Sequence, residues 1–455
     1  MNKRRTISLL PVAACLLALS APAQGRRNVL RVPAQYPTIS AAISAASPGD
    51  TVRVARGVYR EQVIIDIPLR VEGAHAGQTI IDGENRIDLS EVGQVRVVAA
   101  GDVQFSGFTI VNAGRPGESA TRAAIYTESP VAGVTYSIHH TRSIGSNDPT
   151  QSWPVRPDHG LHSEGGLEHL SFRHNEIALT TAAAIYLQRH VGPTTISDNF
   201  LDGVIDSSAV CVVASDTGVD ITTPQRVCRN EINVGGNLGS AGIGIFSGYP
   251  SGLPGRFTDV HIDQNVIRQI PSGRRGISLY NASVDPAGGN ICATIEDNRI
   301  LADGGYIGIE VFGYMEDVEI EDNLITGITG EGFPSITGGI RLRGGVHIDP
   351  ITLQWIYNGV GPVNTEVSDN WIEALRGISV EGDASRNEIT GNRVWALDFP
   401  TVELGADTFS NDVTRNLLRT STPNSHRSHR SRRSSQSGDA TVLDNGTGNR
   451  VARNR

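Results

Sequence analysis

Lysine is almost missing from this chain. Lys3 is the only one, and every other strong base is Arg. Past the first few residues, any mechanism needing a lysine base or a Schiff-base amine is excluded. Sulfur is scarce too, with 4 Cys and 2 Met, and no Cys/His spacing resembles a zinc site. Aromatic residues make up 5% of the chain, and no apolar run is long enough to cross a bilayer as a helix. Gly is abundant, at 51 of 455 residues. That length is large for one ordinary domain but natural for a solenoid, which grows by adding rungs.

Residues 1–23 read as a signal peptide. Lys3, Arg4 and Arg5 form its charged start, Ile7 to Leu19 its apolar stretch, and Ala21-Pro22-Ala23 its small-x-small cleavage site. Val12-Ala13-Ala14-Cys15 resembles a lipoprotein box, but the apolar stretch continues through Leu16, Leu17 and Leu19. Ordinary secretion, to the outside or the periplasm, is therefore expected. Loss of the leader removes three positive charges and takes the formal −9 to about −12. From Arg419 onward there are eight Arg and two Asp, so the remaining body carries about −18. Such a body repels nucleic acid and bare polyanions unless a cation bridges them. The mature chain keeps Cys211, Cys228 and Cys292, an odd count that allows one disulfide at most, with Cys211–Cys228 permitted by spacing.

Two short signatures alternate from about residue 120. The first is Gly-Ile-x-apolar, as in Gly242-Ile243-Gly244-Ile245, Gly276-Ile277-Ser278-Leu279 and Gly308-Ile309-Glu310-Val311. The second is apolar-x-x-Asn-x-apolar, with its Asn at 175, 199, 230, 265, 298, 323, 370, 392, 416 and 454. Period-2 alternation gives one inward and one outward face. Strands this short are stable only when each pairs with its equivalent in the next rung. Asn tolerates a left-handed corner and hydrogen-bonds along the stack, and Gly suits a tight approach. The expected fold is all-β: a right-handed parallel β-helix with a short N-terminal capping helix. The cap covers 24–50, with a strand at Leu30-Arg31-Val32 and a helix at Thr38 to Ile43. The solenoid runs over 51–419, a Ser/Arg/His-rich insertion over 420–438 is expected to be disordered, and 439–455 forms the last rung.

The run TISAAISAASPGDTVRVARGVYREQVIID, then TIIDG, FSGFTIVNA and the closing DNGTGNRVARN, resembles NosD-like and pectin-lyase-like β-helix proteins. The resemblance covers nearly the whole mature chain. It implies the fold and leaves activity open, because this fold hosts lyases, hydrolases, esterases and non-enzymes. Gly57-Val58-Tyr59-Arg60-Glu61 fits the first pectinesterase pattern, but the later motifs are missing. Polygalacturonase motifs are absent, and the nearest pectate-lyase runs have the wrong spacing. The single early Lys excludes lyases built on a Lys/Arg pair, and two Met do not make a copper cluster.

The repeat itself singles out one face. The x positions point away from the core and read Tyr126, His162, Tyr186, Cys211, Gly244, Ser278, Glu310, Arg341, Ser379 and Glu403. The outward positions two residues on read Glu128, Glu164, Gln188, Val213, Phe246, Tyr280, Phe312, Arg343 and Glu381. Adjacent rungs lie ~4.8 Å apart. Glu128, His162 and Glu164 are thus the candidate catalytic groups, a carboxylate pair and an imidazole suited to acid/base work on a glycosidic bond. Tyr126, Tyr186, Tyr280 and Arg343 are the candidate substrate contacts. No cofactor is evident, and paired carboxylates allow Ca²⁺. The expected partner is a polysaccharide or cell-surface glycan. The alternative is a non-catalytic surface scaffold whose loops bind a partner.

Overall fold

The computed structural model describes residues 27–84, 92–113, 123–145, 157–203, 207–214, 219–234, 241–248, 255–271, 273–282, 289–330, 337–348, 355–357, 360–397, 400–420 and 442–455. Three long, all-parallel sheets wind together as a right-handed parallel β-helix. In each rung the chain passes through sheet I, then II, then III. Sheet I has 15 strands and starts at Val29–Val32; sheet II (13 strands) starts at Gly57–Tyr59; sheet III (13 strands) starts at Val63–Ile65. A small antiparallel pair, Val346–Ile348 with Trp355–Tyr357, projects as a separate ribbon.

The repeat fixes the stacking. In sheet III, Ile125, Leu161, Ile185, Val210, Ile243, Ile277, Ile309, Ile340, Ile378 and Val402 align one above another, all buried. Each such side chain contributes about 1.5–3 kcal/mol on leaving water. The Gly before the Ile is required by crowding: a Cβ on Gly308 would sit 2.5 Å from the Gly339 carbonyl oxygen.

All ten signature Asn stand at the corner between sheets I and II and form one ladder. Asn298 is typical. Its Oδ1 accepts the Asn265 N–H at 3.0 Å, and its Nδ2 donates to the Ile262 carbonyl at 2.8 Å. The residue before each Asn takes the left-handed conformation, Asp198, Asp297, Asp322 and Asp369 among them. Those four acids are turn residues, as their Asp-Asn pairing suggests. A second ladder, Thr365 with Asn387, Asn411 and Asn449, lines the corner between sheets III and I in the last rungs.

The N-terminal segment does more than cap. Val29–Val32 already pairs with Thr51–Val54 as the first strand of sheet I. The helix Ile39–Ala45 buries Ile39, Ala42 and Ile43 over the open end of the core, with Thr38 as its N-cap. Glu61 accepts from the first N–H groups of this helix, Ile39 and Ser40, each at 2.8 Å. The Glu of the pectinesterase-like run thus holds the cap in place. At the other end, Val442–Asp444 and Arg450–Ala452 pair with Val402–Leu404 and Asp412–Thr414. The leader and nearly all of the 420–438 insertion lie outside the described residues. Cys211 and Cys228 stand in different sheets with free thiols, so the disulfide that spacing permitted is not formed.

Candidate functional site

The two outward columns are realised in register on sheet III. Tyr126 pairs with His162, His162 with Tyr186, and Tyr186 with Cys211. In the next column Val213, Phe246, Tyr280, Phe312, Arg343 and Glu381 follow Glu164 and Gln188 rung by rung. Thr127 pairs with Ser163, which sets Glu128 and Glu164 at equivalent strand ends one rung apart, a spacing of about 4.8 Å.

The first column is not solvated, as outward positions on a solenoid usually are. Tyr126 is 6% exposed and His162 only 3%. Ala183, Cys211 and Val213 form a small apolar cluster outside the main core, with Tyr186 and Phe246 packed against it. The outer face of sheet III is therefore a second packed layer. Period-2 alternation marks which side chains point out, not whether something covers them.

His162 is the centre of this layer's first part. Its ring meets Tyr126 edge-on at 5.5 Å, His159 at 5.2 Å and Tyr186 at 5.3 Å, while His159 stacks on Tyr186 at 4.8 Å. Among the described residues neither ring nitrogen of His162 has a hydrogen-bond partner. Burial, with His159 adjacent, pushes its pKa down to about 3, and burial holds His159 down at about 4. His162 is thus a neutral imidazole near pH 7 and no store of protons. The carboxylates lie at the rim. Glu128 is exposed and accepts the Tyr126 hydroxyl at 2.9 Å; half-buried Glu164 is ion-paired with Arg189. Burial and this bond to Glu128 raise the Tyr126 pKa.

Further along, Phe246, Tyr280 and Phe312 make a continuous aromatic stripe, with centroid separations of 6.0 and 4.7 Å and the last two rings parallel. Arg343 lies over Phe312 at 5.2 Å. It also lines a depression of about 310 Å³ with Glu381, Gly382 and Asp407. In the column beside the stripe, Glu310 is buried between Arg275 and Arg341, and Arg341 donates to Glu381 at 2.8 Å.

Three residues inside the core have the types of a nucleophile, a base and an acid. Ser163 lies 2.8 Å from His190 Nδ1, and Glu168 lies 4.0 Å from the same nitrogen. A relay needs the two partners on opposite ring nitrogens and an open hydroxyl. Here both meet one nitrogen and all three are sealed, so the cluster is structural. Its signal in sequence is Ser163, a polar residue where the first signature calls for an apolar one. Among the described residues no group of three or more His, Cys, Asp or Glu is arranged to hold a metal ion, and no helix is long and apolar enough to cross a membrane.

No family model and no curated protein matches the chain. Solved structures do. A PL6 alginate lyase in complex with a trisaccharide aligns at 13% identity over 93% of this chain and 96% of its own, TM-score 0.49. The DFA-IIIase of Arthrobacter chlorophenolicus A6 aligns at 14% over 85% and 94%, TM-score 0.47. The A-module of the Azotobacter vinelandii mannuronan C-5 epimerase aligns at 14% over 92% and 94%, TM-score 0.36. At such identities the likeness concerns the fold. The chain's own three parallel sheets make it a right-handed parallel β-helix.

Proposed function

We propose that this is an exported β-helix protein that binds an extracellular polysaccharide along the outer face of sheet III. One observation carries the reading: the half-buried aromatic stripe of Phe246 and Tyr280, ending on Arg343, in register with the rim carboxylate Glu164 three to six rungs away. Flat rings at rung spacing suit the apolar faces of successive sugars, and Arg343 suits a carboxylate or ring hydroxyl. Tyr126, His162 and Tyr186 form the wall that positions Glu128 and Glu164.

If the glycan is also cleaved, Glu128 and Glu164 are the reacting carboxylates. Their present partners favour binding over chemistry. Glu164 pairs with a guanidinium, Glu128 accepts a hydrogen bond from the Tyr126 hydroxyl, and His162 is neutral. Ca²⁺ enters this reading as a bridge between Glu128, Glu164 and an acidic sugar, and chelation tests it. The deciding experiment is a panel of acidic and neutral polysaccharides, scored for retention, for new reducing ends and for absorbance from unsaturated uronates. Retention without product supports the binding protein. Product formed equally by the Glu164→Gln variant removes that residue from the chemistry. Failure to retain any glycan rejects the reading in favour of a scaffold for another partner.

A further inference from the structure

A different face carries a second site. On sheet II the strands Trp371–Ala374, Arg393–Ala396 and Leu417–Thr420 stack in register. Trp371, Arg393 and Leu417 form one outward column; Glu373, Trp395 and Arg419 form the next. Both tryptophans lie open to solvent, 47% and 42% exposed. They are diagonal neighbours, so about 7–8 Å separates their attachment points.

Each indole carries an arginine. Arg393 lies over Trp371 at 6.0 Å and Arg419 over Trp395 at 5.7 Å. Together with Leu417 they enclose a shallow depression of about 340 Å³. Among the described residues neither guanidinium forms an ion pair, and the nearby Glu373 has none either. A guanidinium held over a ring face keeps its in-plane N–H groups for hydrogen bonding, and that planar fork is the donor set that recognises a carboxylate in bidentate fashion. On a body that is otherwise strongly acidic, this is a local cationic island with aromatic faces.

We propose that this platform binds a short acidic oligosaccharide, a uronate-type sugar chain, stacking sugar faces on Trp371 and Trp395 and pairing carboxylates with Arg393 and Arg419. Charge complementarity selects the acid, and the rings select a ligand with flat apolar faces. The acidic body favours short segments over long polymers, whose remote charges it repels. The site lies on another sheet and stands independently of the sheet III reading.

The test is a fluorescence and calorimetric titration of the full chain with tetragalacturonate and with neutral cellotetraose. The expected result is a change in tryptophan emission with the acidic probe and at least tenfold weaker binding of the neutral one. Trp371→Ala/Trp395→Ala abolishes the emission change with the acidic probe. Arg393→Gln/Arg419→Gln cuts affinity at least tenfold and brings it down to the neutral level. All four residues are exposed, so melting temperatures should stay unchanged and a loss reads as a binding loss. Phe200→Ala, at an exposed ring on the same sheet but outside the platform, leaves the signal intact. Equal binding of both probes, no emission change, or a signal that survives the tryptophan double variant would overturn the proposal.

Discussion

His190 Nδ1 lies 4.0 Å from the Glu168 carboxylate, with both side chains fully sealed inside the solenoid. Burial pushes His190 down to about 4 and Glu168 up. His159 and His162 are depressed by burial as well. For the histidines the unfolded chain binds more protons than the fold below about pH 6.5, so they destabilise as pH falls from there toward 4. Glu168 acts oppositely, favouring the fold at low pH and losing that contribution as pH rises past 4.5. Three groups outweigh one. The melting temperature should fall steadily from pH 7 to 4.5, and His162→Gln should flatten the slope. A flat profile in the parent protein would contradict this.

Removal of one ladder Asn should be felt over several rungs. Asn298→Ala deletes five hydrogen bonds, to Asn265 twice, to the Ile262 and Glu296 carbonyls and to Asn323 Oδ1. Orphaning them should cost about 2–4 kcal/mol, measured by denaturant unfolding. Asn449→Ala, at the partly open end of the second ladder, should cost less.

The Glu310–Arg341 pair gives a sharper contrast. Arg341→Met leaves Glu310 buried with Arg275 as its remaining partner, and about 3–5 kcal/mol should be lost. Arg341→Met with Glu310→Leu should recover part of that loss. A double variant no more stable than the single would show that the charges, once paired, contribute net stability.

Thiol chemistry should follow burial. Cys211 is buried and its thiol is pushed up to about 12 by that burial. Cys292 is half-buried. In the native protein an aromatic disulfide reagent should titrate Cys292 first and Cys211 only on unfolding. Rapid reaction of Cys211 would mean that the outer layer of sheet III opens readily.

The rungs were legible because each corner repeats one chemical solution. From Asn175 onward a left-handed residue followed by an Asn stands at each turn from sheet I into sheet II, so the Asn positions could be read off directly. The outward register of sheet III was legible for the same reason, down to Tyr126 beside His162 and Tyr280 beside Phe312. Its burial was not, because alternation encodes direction and says nothing of a second layer outside. The Thr365–Asn449 ladder was missed because its Asn residues precede strands with no signature of their own. Trp371 and Trp395 escaped attention because outward columns were read from the first signature alone, although Trp371 fills the position after Asn370 in the second.

The most direct test of the account is a binding isotherm for the full chain on whichever polysaccharide the panel retains, compared with Tyr280→Ala and Arg343→Gln. Both side chains are half-buried on the outer face of sheet III, outside the core. The account predicts at least tenfold weaker binding for each variant, with unfolding transitions close to the parent's. Unchanged affinity in both variants would contradict it.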